Sequence, residues 1–142
     1  MQKNSEFIDK LRSSSLRPTK QRLKICEVLF NREKTFHFTI NDLAKTISNQ
    51  LDEKISLATI YNTVHAFKNK GYLKEISINS DKSYFDTNIT EHHHFFDLET
   101  NELIDCGDNE IEKVKIIKNI TGKKINSVEV LVKVASDNQN QN

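Results

Sequence analysis

Glycine occurs three times in this chain, proline once, cysteine twice and tryptophan not at all. Three scattered glycines cannot supply the glycine-rich loop with which nucleotide-binding folds wrap a phosphate. Cys26 and Cys106 lie far apart in sequence, and nothing resembles a disulfide framework, so a reducing cytoplasm is the expected setting. The opening MQKNSEFIDK scatters charge where a secretory signal would be apolar. No apolar run approaches the roughly 18 residues that span a bilayer, and the stretch from Val128 to Val134 is interrupted by charge. No membrane partner is expected. HExxH is absent, as is a Ser or Cys nucleophile with a recognisable base, which argues against a hydrolytic enzyme.

What is present is charge, unevenly placed. Residues 1–75 carry 14 Lys and Arg against 8 Asp and Glu, and residues 76–142 carry 7 against 12, so a formal net charge of +1 hides a basic half and an acidic half. That split implies that one half meets a polyanion while the other does something else. A chain of 142 residues has room for one ordinary domain or two very small ones, and a second small module would complete its core against a partner.

The basic half reads as short helices with good start signals. A first helix is expected over residues 5–13, and Ser14, Ser15 and Pro18 break it. Thr19 can cap a second helix carrying Leu23, Ile25, Val28, Leu29 and Phe30. Thr39 with Asp42 resembles a capping box ahead of Ile40, Leu43, Ala44 and Ile47. Ser56 opens a further helix with Leu57, Ile60, Val64 and Phe67 as its expected core stripe, ending at Gly71. Residues 72–78 and 83–87 then alternate like strands about a turn at 79–82.

These elements predict an α+β chain: an N-terminal winged helix-turn-helix over residues 1–88, a small α/β dimerisation and sensing domain over 89–136, and a flexible tail over 137–142. In the second domain, strands are expected at 91–97, 102–106 and 125–134, with an amphipathic helix over 109–120 ending at Gly122. Exposed strand edges in so small a unit predict a homodimer.

The last helix before the wing is the natural major-groove reader. Its core stripe leaves Ala58, Tyr61, Asn62, His65 and Asn69 on the other side, with Lys68 and Lys70 at the end. A small residue permits approach, a tyrosine packs on a thymine methyl, an amide reads adenine, and lysine neutralises phosphate. A solvated helix face has the same polarity, and the surrounding winged-helix pattern is what favours double-stranded DNA.

The segments LRPTKQRLKICEVLF, FHFTINDLAKTI and SLATIYNTVHAFKNKGYLKEI resemble the DNA-binding domain of the ferric uptake regulator (Fur) superfamily, with Tyr61 as the implied base contact. Asn62, where well-known members have Arg, and the run HHHFF at residues 92–96 resemble the iron response regulator (Irr) branch, whose members sense haem. The resemblance implies a cytoplasmic, iron- or haem-responsive repressor of iron and haem metabolism genes, acting at an A/T-rich inverted-repeat operator. Its alternative is a metal-sensing Fur-type repressor using Fe, Mn or Zn without haem; a metalloenzyme and a protein-interaction winged helix are the rivals from other classes.

Three consecutive histidines on a strand cannot face one way, so His92 and His94 share a side and His93 takes the other. They are the candidate haem ligands, with Phe95 and Phe96 as an apolar bed. The resemblance implies one divalent ion per chain at His37, Asp86, His94 and Asp105, with Phe96 in place of a fifth ligand. It leaves a second site at His93 and Glu112 short of ligands. Asp97 and Thr100 stand where the family's first CxxC pair falls, so no four-cysteine structural zinc is expected. The only proline, Pro18, follows Arg17, which excludes a Cys-Pro haem motif.

Overall fold

The structure, a computed structural model, describes residues 2–51 and 54–137. It divides into two compact units, Met1–Ile89 and Thr90–Asn142. Of the tail expected from residue 137, residues 138–142 lie outside the described residues.

The first unit begins with α1 (Gln2–Ser13) and α2 (Lys20–Phe30), followed by the two-residue strand β1 (His37–Phe38), then α3 (Ile40–Leu51) and α4 (Leu57–Lys70). The hairpin β2 (Lys74–Asn79) and β3 (Lys82–Asp86) closes it. Each cap read from the sequence is made. Thr19 accepts from the Arg22 N–H at 3.2 Å. Thr39 and Asp42 exchange reciprocal bonds of 3.2 and 3.1 Å. Ser56 accepts from the Thr59 N–H at 3.2 Å. Gly71 ends α4 with φ +91°, a left-handed conformation that a side chain would strain.

Helical spacing turns Ile25, Cys26, Val28 and Leu29 of α2, Leu43 and Ile47 of α3, and Ile60, Val64 and Phe67 of α4 into one buried core, which Phe7 and Leu11 of α1 join. Cys26 is part of that core, and burial pushes its thiol up to about 12. One expectation fails here: Leu57 is 54% exposed, and Thr63 takes the buried place instead. The Thr63 hydroxyl donates to the Thr59 carbonyl at 2.7 Å, which satisfies it without water. The sheet order is β1-β3-β2, all antiparallel, with His37 opposite Asp86 and Phe38 opposite Phe85. β1 was not foreseen, because two residues carry no periodicity to read.

The second unit is a three-stranded sheet of β4 (His94–Asp97), β5 (Leu103–Asp105) and β6 (Leu131–Val134) in the order β5-β4-β6. β5 runs antiparallel to β4, and β6 runs parallel. The helix expected over 109–120 is absent; that segment and the residues up to 130 contain turns but no helix or strand. Val114, Ile116, Ile117 and Ile120 are exposed, Ile117 at 89%. A twelve-residue helix rich in β-branched side chains is marginal without a surface to pack on. Gly122, expected as the helix end, instead has φ +77° in a turn closed by the Lys123 N–H on the Ile120 carbonyl at 3.0 Å.

Side chains extend the parallel ladder beyond β4 and β6. The Val128 N–H donates to the Glu91 carboxylate at 2.9 Å, the Val130 N–H to His93 Nδ1 at 2.8 Å, and the Ser136 N–H to the Glu99 carboxylate at 3.2 Å. Each acceptor lies 37 residues before its donor, so they hold a single parallel register.

Candidate functional site

The β4–β5 register sets His94 opposite Asp105. From that pairing, His94 Nε2 lies 3.1 Å from Asp105 Oδ1, and His92 Nε2 lies 3.5 Å from the same oxygen. The two imidazoles stand 4.3 Å apart between ring centres, and each of the three residues offers a ligand atom within 4.8 Å of the others'. His92 Nδ1 is 2.7 Å from the Thr90 carbonyl oxygen. As the N–H donor of that bond it leaves Nε2 with its lone pair turned to Asp105. His94 is 4% exposed, whereas the Asp105 side chain is 55% exposed, so the cluster has an enclosed side and an open one.

The four residues expected to bind a divalent ion divide between the units. His37 and Asp86 are register partners across β1 and β3, and Asp86 is buried, its carboxylate accepting from the Asn88 N–H at 2.9 Å. His94 and Asp105 belong to the second unit. His92, assigned to haem from the sequence, joins His94 on Asp105; its signal was the alternation that puts residues 92 and 94 on one side of a strand. His93 faces elsewhere and spends Nδ1 on Val130. Phe96 is 2% exposed, so of the apolar bed expected for a macrocycle only Phe95 reaches partly to the surface.

On α4, Ala58, Tyr61 and Asn62 are exposed and His65 is half-buried. His65 lies 4.1 Å from the Tyr61 ring and meets the buried Phe85 ring edge-on at 5.4 Å. Lys68 is tied to Glu75 of β2 at 3.3 Å. The Ser83 hydroxyl, donating at 2.7 Å, and then the Lys68 ammonium hold the Glu75 carboxyl below its ordinary value.

The sequence pattern of the Ferric uptake regulator family matches residues 13–133. The chain belongs to that family. Its members are transcription regulators, not enzymes. A peroxide-responsive repressor, PerR, of Staphylococcus aureus (strain Mu50) is 32% identical over 112 residues, covering 77% of this chain and 74% of the relative. The peroxide operon regulator of Bacillus subtilis (strain 168) is 28% identical over 123 residues, covering 84% and 81%. Among solved structures, a ferric uptake regulator from Pseudomonas aeruginosa with manganese has a TM-score of 0.66 at 24% identity, over 96% of this chain and 98% of that one, which is a likeness of fold. The fold is that of the family, a helical winged unit followed by a small sheet unit; none of these relatives is named as a member of the Irr branch. Among the described residues no helix is long and apolar enough to cross a membrane.

Proposed function

We propose that this chain is a metal-dependent DNA-binding repressor, acting as a homodimer on an A/T-rich inverted repeat. The observation that carries the reading is the convergence of His92, His94 and Asp105. Two imidazoles and a carboxylate are borderline N/O donors that suit ferrous, manganous or zinc ion. The family resemblance adds His37 and Asp86 as further candidate ligands. A bound ion favours whichever state of the protein holds it best, and metal acts as a DNA-binding signal if that state is the one that binds DNA. The manganese of the Pseudomonas relative supports a divalent ion in this fold.

The reading is tested by titrating metal-free protein with manganous, zinc and anaerobic ferrous ion while following a DNA mobility shift. Affinity should rise with metal in wild type and stay flat in Asp105→Ala, which removes a side chain that is 55% exposed. Metal-independent DNA binding, or wild-type metal affinity in the variant, refutes it. The names of the peroxide-responsive relatives make hydrogen peroxide the oxidant to add to the iron-loaded complex.

Haem is the finer reading of the same segment, with His92, His93 or His94 as axial ligand and Phe95 as apolar contact. Metal is placed ahead of it because His93 Nδ1 is engaged by Val130 and Phe96 is buried. A Soret band lost in the His92, His93, His94 triple-alanine variant, with haem releasing DNA from wild type, would reverse that order.

A further inference from the structure

The second unit closes on a crosslink made by carboxylates. Asp97, the last residue of β4, is used by the following turn through its side chain and its main chain. Its Oδ1 accepts from the Glu99 N–H at 2.8 Å and the Thr100 N–H at 3.2 Å, and its carbonyl oxygen accepts from the Asn101 N–H at 2.8 Å. The Glu99 N–H first and the Thr100 N–H second hold the Asp97 carboxyl below its ordinary value, so the acceptor stays charged. Glu99, fixed in this way at its backbone, reaches 37 residues along the chain: its carboxylate accepts from the Ser136 N–H at 3.2 Å and from the Ser136 hydroxyl. Beside it, the Leu98 N–H donates to the Val134 carbonyl at 2.8 Å.

A turn fastened to a distant segment is what a structural zinc supplies, by drawing ligands from both to one ion. The donors here do not suit that ion. Asp97 and Thr100 stand where a CxxC pair would fall, Asp97 Oδ1 is spent on two backbone N–H groups, and Cys106 is the only cysteine in the second unit. We infer that Glu99, positioned by Asp97, takes the place of a structural zinc: it pins the end of β6 to the β4–β5 turn and keeps β6 in register without a metal ion. β6 needs such a pin, because it is a four-residue strand at the edge of its sheet, paired parallel to β4. Parallel pairing is slightly less stable per residue than antiparallel, and a slip of one residue would turn every β6 side chain to the other face. Glu91 holds the opposite end of the same register, accepting from the Val128 N–H at 2.9 Å, so a slip breaks both carboxylate bonds at once. Ionised acceptors suit the task, since they bond an N–H more strongly than a neutral group does.

The test follows amide hydrogen exchange of the full-length chain by NMR at Leu98 and Ser136, with one equivalent of zinc ion and with excess EDTA. Both amides should be protected in wild type and should exchange at the same rate in the two conditions. The comparison is repeated in Asp105→Ala, so that metal lost from the His92 and His94 cluster is not mistaken for a crosslink. Glu99→Ala should speed Ser136 exchange by about tenfold, and Glu99→Gln, which keeps one acceptor oxygen, should recover part of the protection. Asp97→Ala should also speed Ser136 exchange, whereas Asp97→Asn, which keeps Oδ1, should match wild type. Because Asp97 acts through Glu99, the Asp97→Ala, Glu99→Ala double variant should exchange no faster at Ser136 than Glu99→Ala alone. Unchanged Ser136 exchange in Glu99→Ala overturns the inference. So does EDTA that speeds these amides in Asp105→Ala as much as Glu99→Ala does, since a metal ion would then be the crosslink, and additive effects in the double variant overturn the positioning role of Asp97.

Discussion

Asp105 is the side chain on which two histidines converge, and its open side makes it the cleanest residue to remove. Asp105→Ala and His92→Ala should each weaken divalent-metal affinity by more than about tenfold, measured by competition with a chelating dye. His93→Ala should not, because its ring nitrogen serves the Val130 N–H instead; a loss in His93→Ala equal to that in His92→Ala would mean the cluster is wrongly drawn. Glu75 gives a pH signature at the same scale. Its carboxyl is held below its ordinary 4.5 by the Ser83 hydroxyl first and Lys68 second. A carboxyl depressed in the folded state stabilises the fold fully above its unfolded value and loses that contribution as pH falls through the folded one. Urea unfolding should therefore show stability falling from about pH 4.5 downward, and Glu75→Gln should flatten this part of the profile. An unchanged slope in the variant would remove Glu75 from the account.

α4 depends on a cap, a buried stripe and a left-handed stop, and each has its own cost. Phe67 is fully buried, packed edge-on against Phe30 at 5.5 Å and Tyr72 at 6.0 Å, so Phe67→Ala should destabilise the first unit by about 3–5 kcal/mol, read by thermal or urea unfolding. A loss below about 1 kcal/mol would deny it that role. The helices, their caps and the wing were legible because short-range chemistry writes them: Thr19, Thr39, Ser56 and Gly71 bond within a few residues of themselves. Leu57 was misread because its spacing fits the stripe as well as Thr63's does, and periodicity cannot tell which edge of a stripe meets solvent. His92 went to haem because three adjacent histidines do not reveal which one Asp105 lies opposite; the β4–β5 register decides that. The helix expected over residues 109–120 failed for a different reason. Its apolar residues need a partner surface to hold a helical face, and local sequence does not contain that surface.

Ile116, Ile117, Ile120 and Ile125 are exposed, which a homodimer would account for by covering them. Ile117→Asp should then weaken self-association in sedimentation equilibrium, and an unaltered dimer in the variant would place the interface elsewhere. Opposite charge in the two halves of the sequence fits a basic part that meets phosphate and a second part that pairs and senses. DNA retention should accordingly fall steeply with salt, since each neutralised phosphate releases counterions. The most direct test of the whole account is the affinity of the full-length chain for a duplex selected from a random pool, by fluorescence anisotropy at one fixed ionic strength, with manganous ion and with chelator. The account predicts tighter binding with metal, within the about 5- to 150-fold span typical of allosteric coupling, and no metal effect in Asp105→Ala. Equal affinity with metal and with chelator in wild type would contradict it.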